Sequence, residues 1–420
     1  MVTKTMMAAI AIAVMVVAVS VTAYFVLQKG EPQSEEGVLL DFGDYTGYWM
    51  PVETEGVELD DAVSAAFEKK DIKITYSDDF ITSVDGISAR TGESWGLWTF
   101  SVGSGWKKIP YSESSMTLSK GTYPAVALTA AGNEPLLPCV DAMGKDVFNG
   151  TSEKIVSLSA VGTEILCKTG KLDSLVAADA YSNYPAEVVT RGISKEWGFY
   201  QTPPTAEIVS SYDPDLVVGE KDNHDALLNS LRSSGIRCIS LYKAFTLEDV
   251  YRNIWMTGAA TGNDAKANET INGMKGDLEE LLRDHSAAIA GLDGKKTVIL
   301  FGGEWYVAGI GQDTFINDII SRLGVVNMFP DSGWIMDKEY MTTMTPEIVI
   351  FIADEDLGGA DIKTILGQTG SHLPGWPNAT GDTWKGVELI TLYGEDGDKF
   401  LRAGPRIVEA LAALLEEASK

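Results

Sequence analysis

Two phrases of the chain place the same chemistry at the same spacing. Glu207 stands seven residues before Pro214 in EIVSSYDPDLVVG, and Glu339 stands seven before Pro346 in EYMTTMTPEIVIF. Each reads as an acidic residue opening a short helix, then a turn at Pro-Asp or Pro-Glu, then a buried parallel strand at 216–218 or 348–350. A lone carboxylate there does no covalent chemistry; its simplest use is to sit against the positive end of its helix. Two of them at equivalent places, roughly 130 residues apart, form a pair that a two-fold partner could read together.

The second chemical feature is aromatic. Tyr184 follows one strand, and Trp197, Phe199 and Tyr200 crowd the loop before Glu207. Trp305 and Tyr306 follow a strand near 297–301, and Trp334 lies five residues before Glu339. Broad rings bury much area with little loss of rotamer freedom, which suits a large, flat or macrocyclic, half-apolar ligand. The plainer role is packing, and about half of the set is expected to serve it.

Covalent and metal chemistry find little footing. His224, His285 and His372 are isolated, without an i,i+4 pair, and no Cys-x-x-Cys occurs. Acidic turns at 354–356 and 396–398 lack the ligand spacing of a calcium loop. GLDGKKT at 291–297 misses a phosphate-loop glycine, VAGIGQDT at 307–314 misses the third dinucleotide glycine, and neither Gly-x-Ser-x-Gly nor His-Glu-x-x-His is present. The chain therefore reads as a binding protein with no catalytic residues, no metal site and no cofactor of its own.

Composition sets the frame for these residues. The 420 residues suffice for two or three domains with real cores. A net charge of −27, from 33 basic and 60 acidic residues spread along the chain, argues against a nucleic-acid partner. From Met6 to Leu27 no charge interrupts an apolar run, which is long enough to span a bilayer and is expected to be an uncleaved anchor with the rest outside; a cleaved signal is the alternative. Cys139, Cys167 and Cys238 suggest no disulfide framework and read as small core residues. Asn149, Asn268 and Asn378 lie in Asn-x-Thr sequons, open to glycosylation in an extracytoplasmic chain.

The positioning elements fall into a clear order. After the 1–28 anchor and a polar stalk comes a small β-rich unit, 38–130, with one helix near 60–69 and a hairpin in TFSVGSGWKKI. Residues 131–150 are turn-rich and read as a linker. From there strands alternate with helices, the mark of parallel α/β lobes. The first lobe is assigned 151–262, a spine helix 263–293 and the second lobe 294–420, the helical stretch from 247 to 288 being broken at Gly262. A ligand would sit between the lobes.

Within this order stand KIVSLSAVGTEILCKTGKLDSLVAAD, YSNYP, PDLVVG, WMTGAATGNDAKA, WYVAGIGQDTFINDIISRLGVVNMFPDSGW, PEIVIF and AGPRIVEAL. Together these pieces, covering about 265 residues from Lys154 onward, resemble the helical-spine substrate-binding proteins of ABC importers for cobalamin, haem and ferric siderophores. The front unit resembles, more weakly, the small β domain (β-grasp-like) of vitamin B12 carrier proteins, through LDDAVSAAF, ITSVDGI and SWGLWTFSVGSGWKK. The resemblance implies that Glu207 and Glu339 dock into arginine pockets of the permease dimer, whose ATPase is a separate chain. It also implies that Tyr184, one residue of 197–201, and Trp334 contact ligand. A spine made of one helix is expected to allow only small hinge motion. Cobalamin is the first expected ligand, with a ferric siderophore or haem second, each bringing its own cobalt or iron. With chiefly Arg191 and Lys195 in the cleft loops, a heavily anionic ligand is disfavoured. A membrane-anchored surface sensor or adhesion protein without a transporter is the alternative role.

Overall fold

The computed structural model describes residues 35–77, 80–148, 150, 152–198, 202–302, 307–330, 333–335, 344–353 and 387–419. The expected anchor at 1–28 lies outside them; among the described residues no helix is long and apolar enough to cross a membrane.

The front unit is a five-stranded sheet built from β1 (Gly37–Asp41), β2 (Gly47–Pro51), β6 (Glu93–Ser101), β7 (Gly105–Ile109) and β8 (Thr122–Ala130), in the order β2-β1-β8-β6-β7. A second small sheet holds β3 (Ile74–Ser77), β4 (Phe80–Val84) and β5 (Ile87–Ser88). Helix α1 (Leu59–Lys70) buries Leu59, Val63 and Phe67 on one face of the larger sheet, against Val38, Leu40, Trp95 and Val126. The opposite face is buried too. Leu39, Trp49, Trp98, Tyr123 and Ala125 join a core that continues into Phe148 and Trp255. The run Tyr123 to Leu128 is buried without alternation, as a strand covered on both sides must be.

The first lobe has a wholly parallel sheet, β10-β9-β11-β12, from β9 (Ile155–Ser157), β10 (Leu175–Ala178), β11 (Leu216–Glu220) and β12 (Cys238–Leu241). Its helices are α2 (Ala160–Lys168), α3 (Ala186–Thr190), α4 (Ala206–Ser210), α5 (Asp225–Ser233) and α6 (Leu247–Ala260). Thr246 starts α6 with a capping box closed by Asp249. Gly262, at φ +71°, then turns the chain into α7 (Asp264–Asp284), and α8 (Ser286–Leu292) follows after His285. The spine proper is thus α7, 21 residues and about 31 Å long, and not a single helix to Leu292.

The second lobe departs from the expected parallel sheet. Strands β13 (Lys296–Gly302), β15 (Val326–Asn327), β17 (Ile348–Ile352) and β18 (Glu388–Leu392) pair in parallel, but β14 (Val307–Ile310) runs antiparallel to β13, and β16 (Trp334–Ile335) antiparallel to β14. The reason is chain length: β14 starts five residues after β13 ends, too few for the crossover that a parallel neighbour needs. Helices α9 (Phe315–Ser321), α10 (Glu395–Leu401) and α11 (Ile407–Ala418) complete the lobe, α11 burying Ile407, Leu411 and Leu414.

The internal echo has a structural cause. After each proline, the acidic residue caps the start of the neighbouring strand. Asp215 Oδ2 accepts from the Glu153 and Lys154 amides at 2.8 and 3.1 Å; Glu347 Oε2 accepts from the Lys296 amide at 3.0 Å. Edge amides of a central parallel pair are satisfied the same way in both lobes.

Residues 131–150, expected as a linker, are instead a packed seam. Leu137, Cys139, Val147 and Phe148 are buried, and Phe148 stacks on Trp49 with centroids 3.6 Å apart. Asp41 accepts from the Leu137 amide at 3.0 Å, and Arg232 pairs with the buried Asp141. Turn-forming residues did mark the local backbone, but the spaced apolar side chains among them pin it down. The front unit is equally fixed to the spine. Asn268 of α7 pairs with both backbone groups of Gly47, at 3.0 and 2.9 Å, Trp255 Nε1 donates to the same carbonyl at 3.0 Å, and Asp264 accepts from the Trp49 amide at 2.9 Å. These side chains satisfy an edge strand that would otherwise stay open. A Cβ on Gly47 would lie 2.1 Å from the Leu40 carbonyl oxygen, so no other residue fits the turn. Asn268 therefore cannot carry a glycan in this fold: its amide nitrogen is buried and donating. Asn149 and Asn378 lie outside the described residues. The three cysteines are free, with Cys139 and Cys238 buried.

Candidate functional site

The C-terminal ends of β9, β10, β11, β12 and β13 open into a cleft between the lobes. Two adjoining cavities, about 600 and 470 Å³, share Val161, Glu220, Asn223, Trp334 and Leu401. Each is of the size that holds small-molecule ligands. Residues following parallel strands converge here because parallel strands all end on the same edge of their sheet.

The rings divide between the lobes. Trp334, half exposed, stands edge-on to Phe301 with centroids 5.2 Å apart, forming the second lobe's wall. Across from it the first lobe supplies Tyr181 (42% exposed) to the larger cavity, and Tyr242 and Phe245 to the smaller. Asn253 holds the Tyr242 loop, accepting from the Tyr242 amide and donating to its carbonyl, both at 2.8 Å. Burial pushes the Tyr242 phenol up to about 12, and the hydroxyl donates to the Val140 carbonyl at 2.7 Å.

Acidic groups line much of the rest. Asp179 is almost fully buried, and burial raises its carboxyl to about 6 despite bonds from Ser182 and the Tyr181 amide; Glu220 nearby adds to the rise. Burial also lowers the His224 imidazole below its usual value. His224 Nδ1 accepts from the Glu220 amide at 3.0 Å, so the neutral ring carries its proton on Nε2. That nitrogen is a donor and not a lone-pair ligand for an incoming metal.

Beneath Arg402 lies a buried ion cluster that joins the lobes. Glu164 of α2 accepts from Arg402 at 2.9 Å and from Arg406 at 2.7 and 3.0 Å. Arg402 also donates to Asn183 Oδ1 at 2.8 Å and Asp398 at 2.7 Å, and Asn183 donates to Asp398 at 3.0 Å. Burial opposes the Arg406 charge, yet the bonds and charge of Glu164 outweigh it and hold the guanidinium above its usual value.

Of the residues expected in the cleft, the described part brings only Trp334 there. Tyr184 lies under Arg406, with the guanidinium 3.8 Å from its ring centroid, and packs at the interlobe seam, lining neither of the two cavities. Trp197 is a core residue, 8% exposed among Val156, Ala177 and Val217, because its ring faces the first lobe's own sheet. Phe199, Tyr200, Trp305, Tyr306 and Glu339 lie outside the described residues. Glu207 is exposed in the first turn of α4, beside the Thr205 cap, with Val209 anchoring the helix. The missed residues Tyr181, Glu220, His224, Tyr242, Phe245 and Phe301 share one signal: each stands near the C-terminal end, or within a few residues after it, of a strand that pairs in parallel with a neighbour.

Two α/β lobes on a helical spine, with a ring-walled cleft at their strand ends, define a solute-binding protein. The sequence model of the family described as periplasmic binding protein matches residues 155–369, just over half of the chain. The chain belongs to this family, whose members bind solutes for ABC importers, and it is a binding protein and not an enzyme. Its relatives include the ABC transporter substrate-binding lipoprotein YvrC of Bacillus subtilis, 27% identical over 66% of this chain and 83% of that one. A vitamin B12-binding protein of Pectobacterium carotovorum is 22% identical over 61% of this chain and 85% of its own length. Among solved structures, a periplasmic heme binding protein from Pseudomonas aeruginosa shares the fold with a TM-score of 0.52 and 21% identity, covering 63% of this chain and 91% of that one. A possible iron-binding protein from Staphylococcus epidermidis gives 0.51 and 22%, covering 64% and 100%. The family match starts at Ile155, the first residue of β9, so the front unit lies outside it.

Proposed function

We propose that this protein is the extracytoplasmic receptor of an ABC importer for a corrinoid or metal chelate, cobalamin first and a ferric siderophore or haem second. The observation that carries this reading is the cleft itself: open, walled by Trp334 and Phe301 against Tyr181, and large enough for part of a broad ring system. The B12-binding relatives support the ligand class. The ligand brings its own metal, and the protein supplies aromatic faces and hydrogen bonds. Residues 1–28 anchor the chain in the membrane, and Glu207 with Glu339 dock the loaded lobes on the permease dimer and its ATPase. Exposed charges of this kind add little affinity but set register and speed encounter. The strand order of the front unit, with β1 and β8 parallel at its centre and α1 across one face, supports a β-grasp-like assignment. Its buried bonds to α7 favour a rigid buttress for the spine, and small hinge motion, over a mobile lid.

The test is titration of the full chain in detergent with cyanocobalamin, haem and a ferric hydroxamate, followed by tryptophan quenching. Saturable quenching by cobalamin is expected; response to none of the three would defeat the reading. The docking role is checked separately by Glu207→Ala with Glu339→Ala, expected to abolish uptake while leaving ligand affinity unchanged.

A further inference from the structure

The charged groups of the cleft are not balanced, and the imbalance bears on the ligand. Its cations are largely occupied. Arg402 pairs with Glu164 and Asp398, and Lys221 pairs with Asp222 and Asp225. Lys243 lies over the Phe245 ring, 5.4 Å from its centroid. Among the described residues no cation pairs with Asp179, Glu220 or Asp313, all of which line the cavities. Glu220 accepts from the neutral amide of Asn223 at 3.0 Å and faces both cavities. Among the described residues Glu220 and Asp313 thus have no cation of their own, Asp179 feels an arginine already paired with Glu164 and Asp398, and one amine, Lys243, stands against the three in a partly enclosed space. There, charge is screened less than on an open surface.

Resting on the reading of the cleft as a chelate or corrinoid site, we propose that it selects ligands that are cationic at neutral pH, with Glu220 as the principal selecting residue. A positive centre near Glu220 and Asp313 gains attraction that a neutral analogue of the same shape does not. A haem with two carboxylates, or a ferric tris-catecholate, would bring its own negative charge against these groups. Asp179 acts in the same direction: a cation beside it favours release of the proton that burial helps it hold. The chain's overall charge of −27 adds long-range steering of the same sign.

The experiment uses matched probes on the full chain: aquocobalamin against cyanocobalamin, and ferrioxamine B with its free ammonium against its N-acetyl derivative. Haem and a ferric tris-catecholate serve as anionic probes. In whichever pair binds, the cationic member should bind about tenfold tighter. That preference should shrink severalfold in Glu220→Gln and with added salt. Asp313→Asn, an exposed-loop change, should act likewise and serves should Glu220→Gln fold poorly. Equal affinity within a binding pair, or tightest binding of haem or the catecholate, overturns the charge inference and leaves the cleft reading intact. Binding of none of the six probes defeats that reading and the charge inference with it.

Discussion

Glu164→Gln should weaken the whole molecule although it touches no expected ligand. The carboxylate is 1% exposed and is shared by two arginines, Arg402 and Arg406, that are themselves 9% and 1% exposed. Glutamine keeps one acceptor but turns an N–H toward a guanidinium that needs an acceptor, and it removes the charge that justifies burying both cations. Breaking a buried pair in this way costs about 3–5 kcal/mol. Arg402 retains Asp398 and Arg406 retains Glu395, but Glu395 is 69% exposed and offsets little. We therefore expect a loss of about 3 kcal/mol, near the low end of that range. Urea unfolding of wild type, Glu164→Gln, Arg402→Gln and the double variant gives the measurement, and the cycle should show coupling above about 1 kcal/mol. Because the cluster joins α2 of one lobe to the start of α11 in the other, small-angle scattering should also show the variant expanded. A loss within about 0.5 kcal/mol, or additive single effects, would refute the view that this cluster holds the lobes together.

Asn268→Ala should cost about 2 kcal/mol in the same unfolding assay, since it strands the Gly47 amide in a buried seam; an unchanged midpoint would show that the front unit is held by apolar contacts alone. For Asp179 the sign follows from its raised carboxyl, about 6 against an ordinary 3.8. The folded state holds that proton more tightly than the unfolded chain, so this contribution is full below about pH 4 and lost as pH rises through 6. Asp179→Asn should therefore remove on the order of 3 kcal/mol from the decline in stability over that window, read from unfolding curves across pH; an equally steep decline counts against it. Trp334→Ala should lower ligand affinity at least about tenfold with little change in stability, its ring being half exposed; unaltered affinity would remove it from the site.

Much of the architecture was written locally. The parallel strands of the two lobes are short apolar runs between turn residues, and LVVGE in the first or IVIFI in the second, buried on both faces, can be little else. The repeated Pro-acid turn was visible because both lobes use it the same way, Asp215 and Glu347 each accepting from amides at the start of the neighbouring strand. The break at Gly262 was equally plain, since its left-handed backbone favours glycine.

The site was less legible, for a different reason. A tryptophan reads the same whether it packs under a sheet, as Trp197 does, or walls a cleft, as Trp334 does; only the direction of its loop separates them. Charge is subject to the same ambiguity. Glu164 sits in an ordinary helix phrase, and nothing nearby announces that arginines some 240 residues later will close over it. The turn-rich stretch 131–150 looked loose because backbone propensity is local, whereas the burial of Leu137 and Phe148 is conferred by α6 and the front sheet folding onto them. Local sequence sets which segments become strands and helices, because those preferences act over a few residues. Which side chains meet across the cleft depends on contacts between distant segments, and these exist only once the lobes have closed on one another.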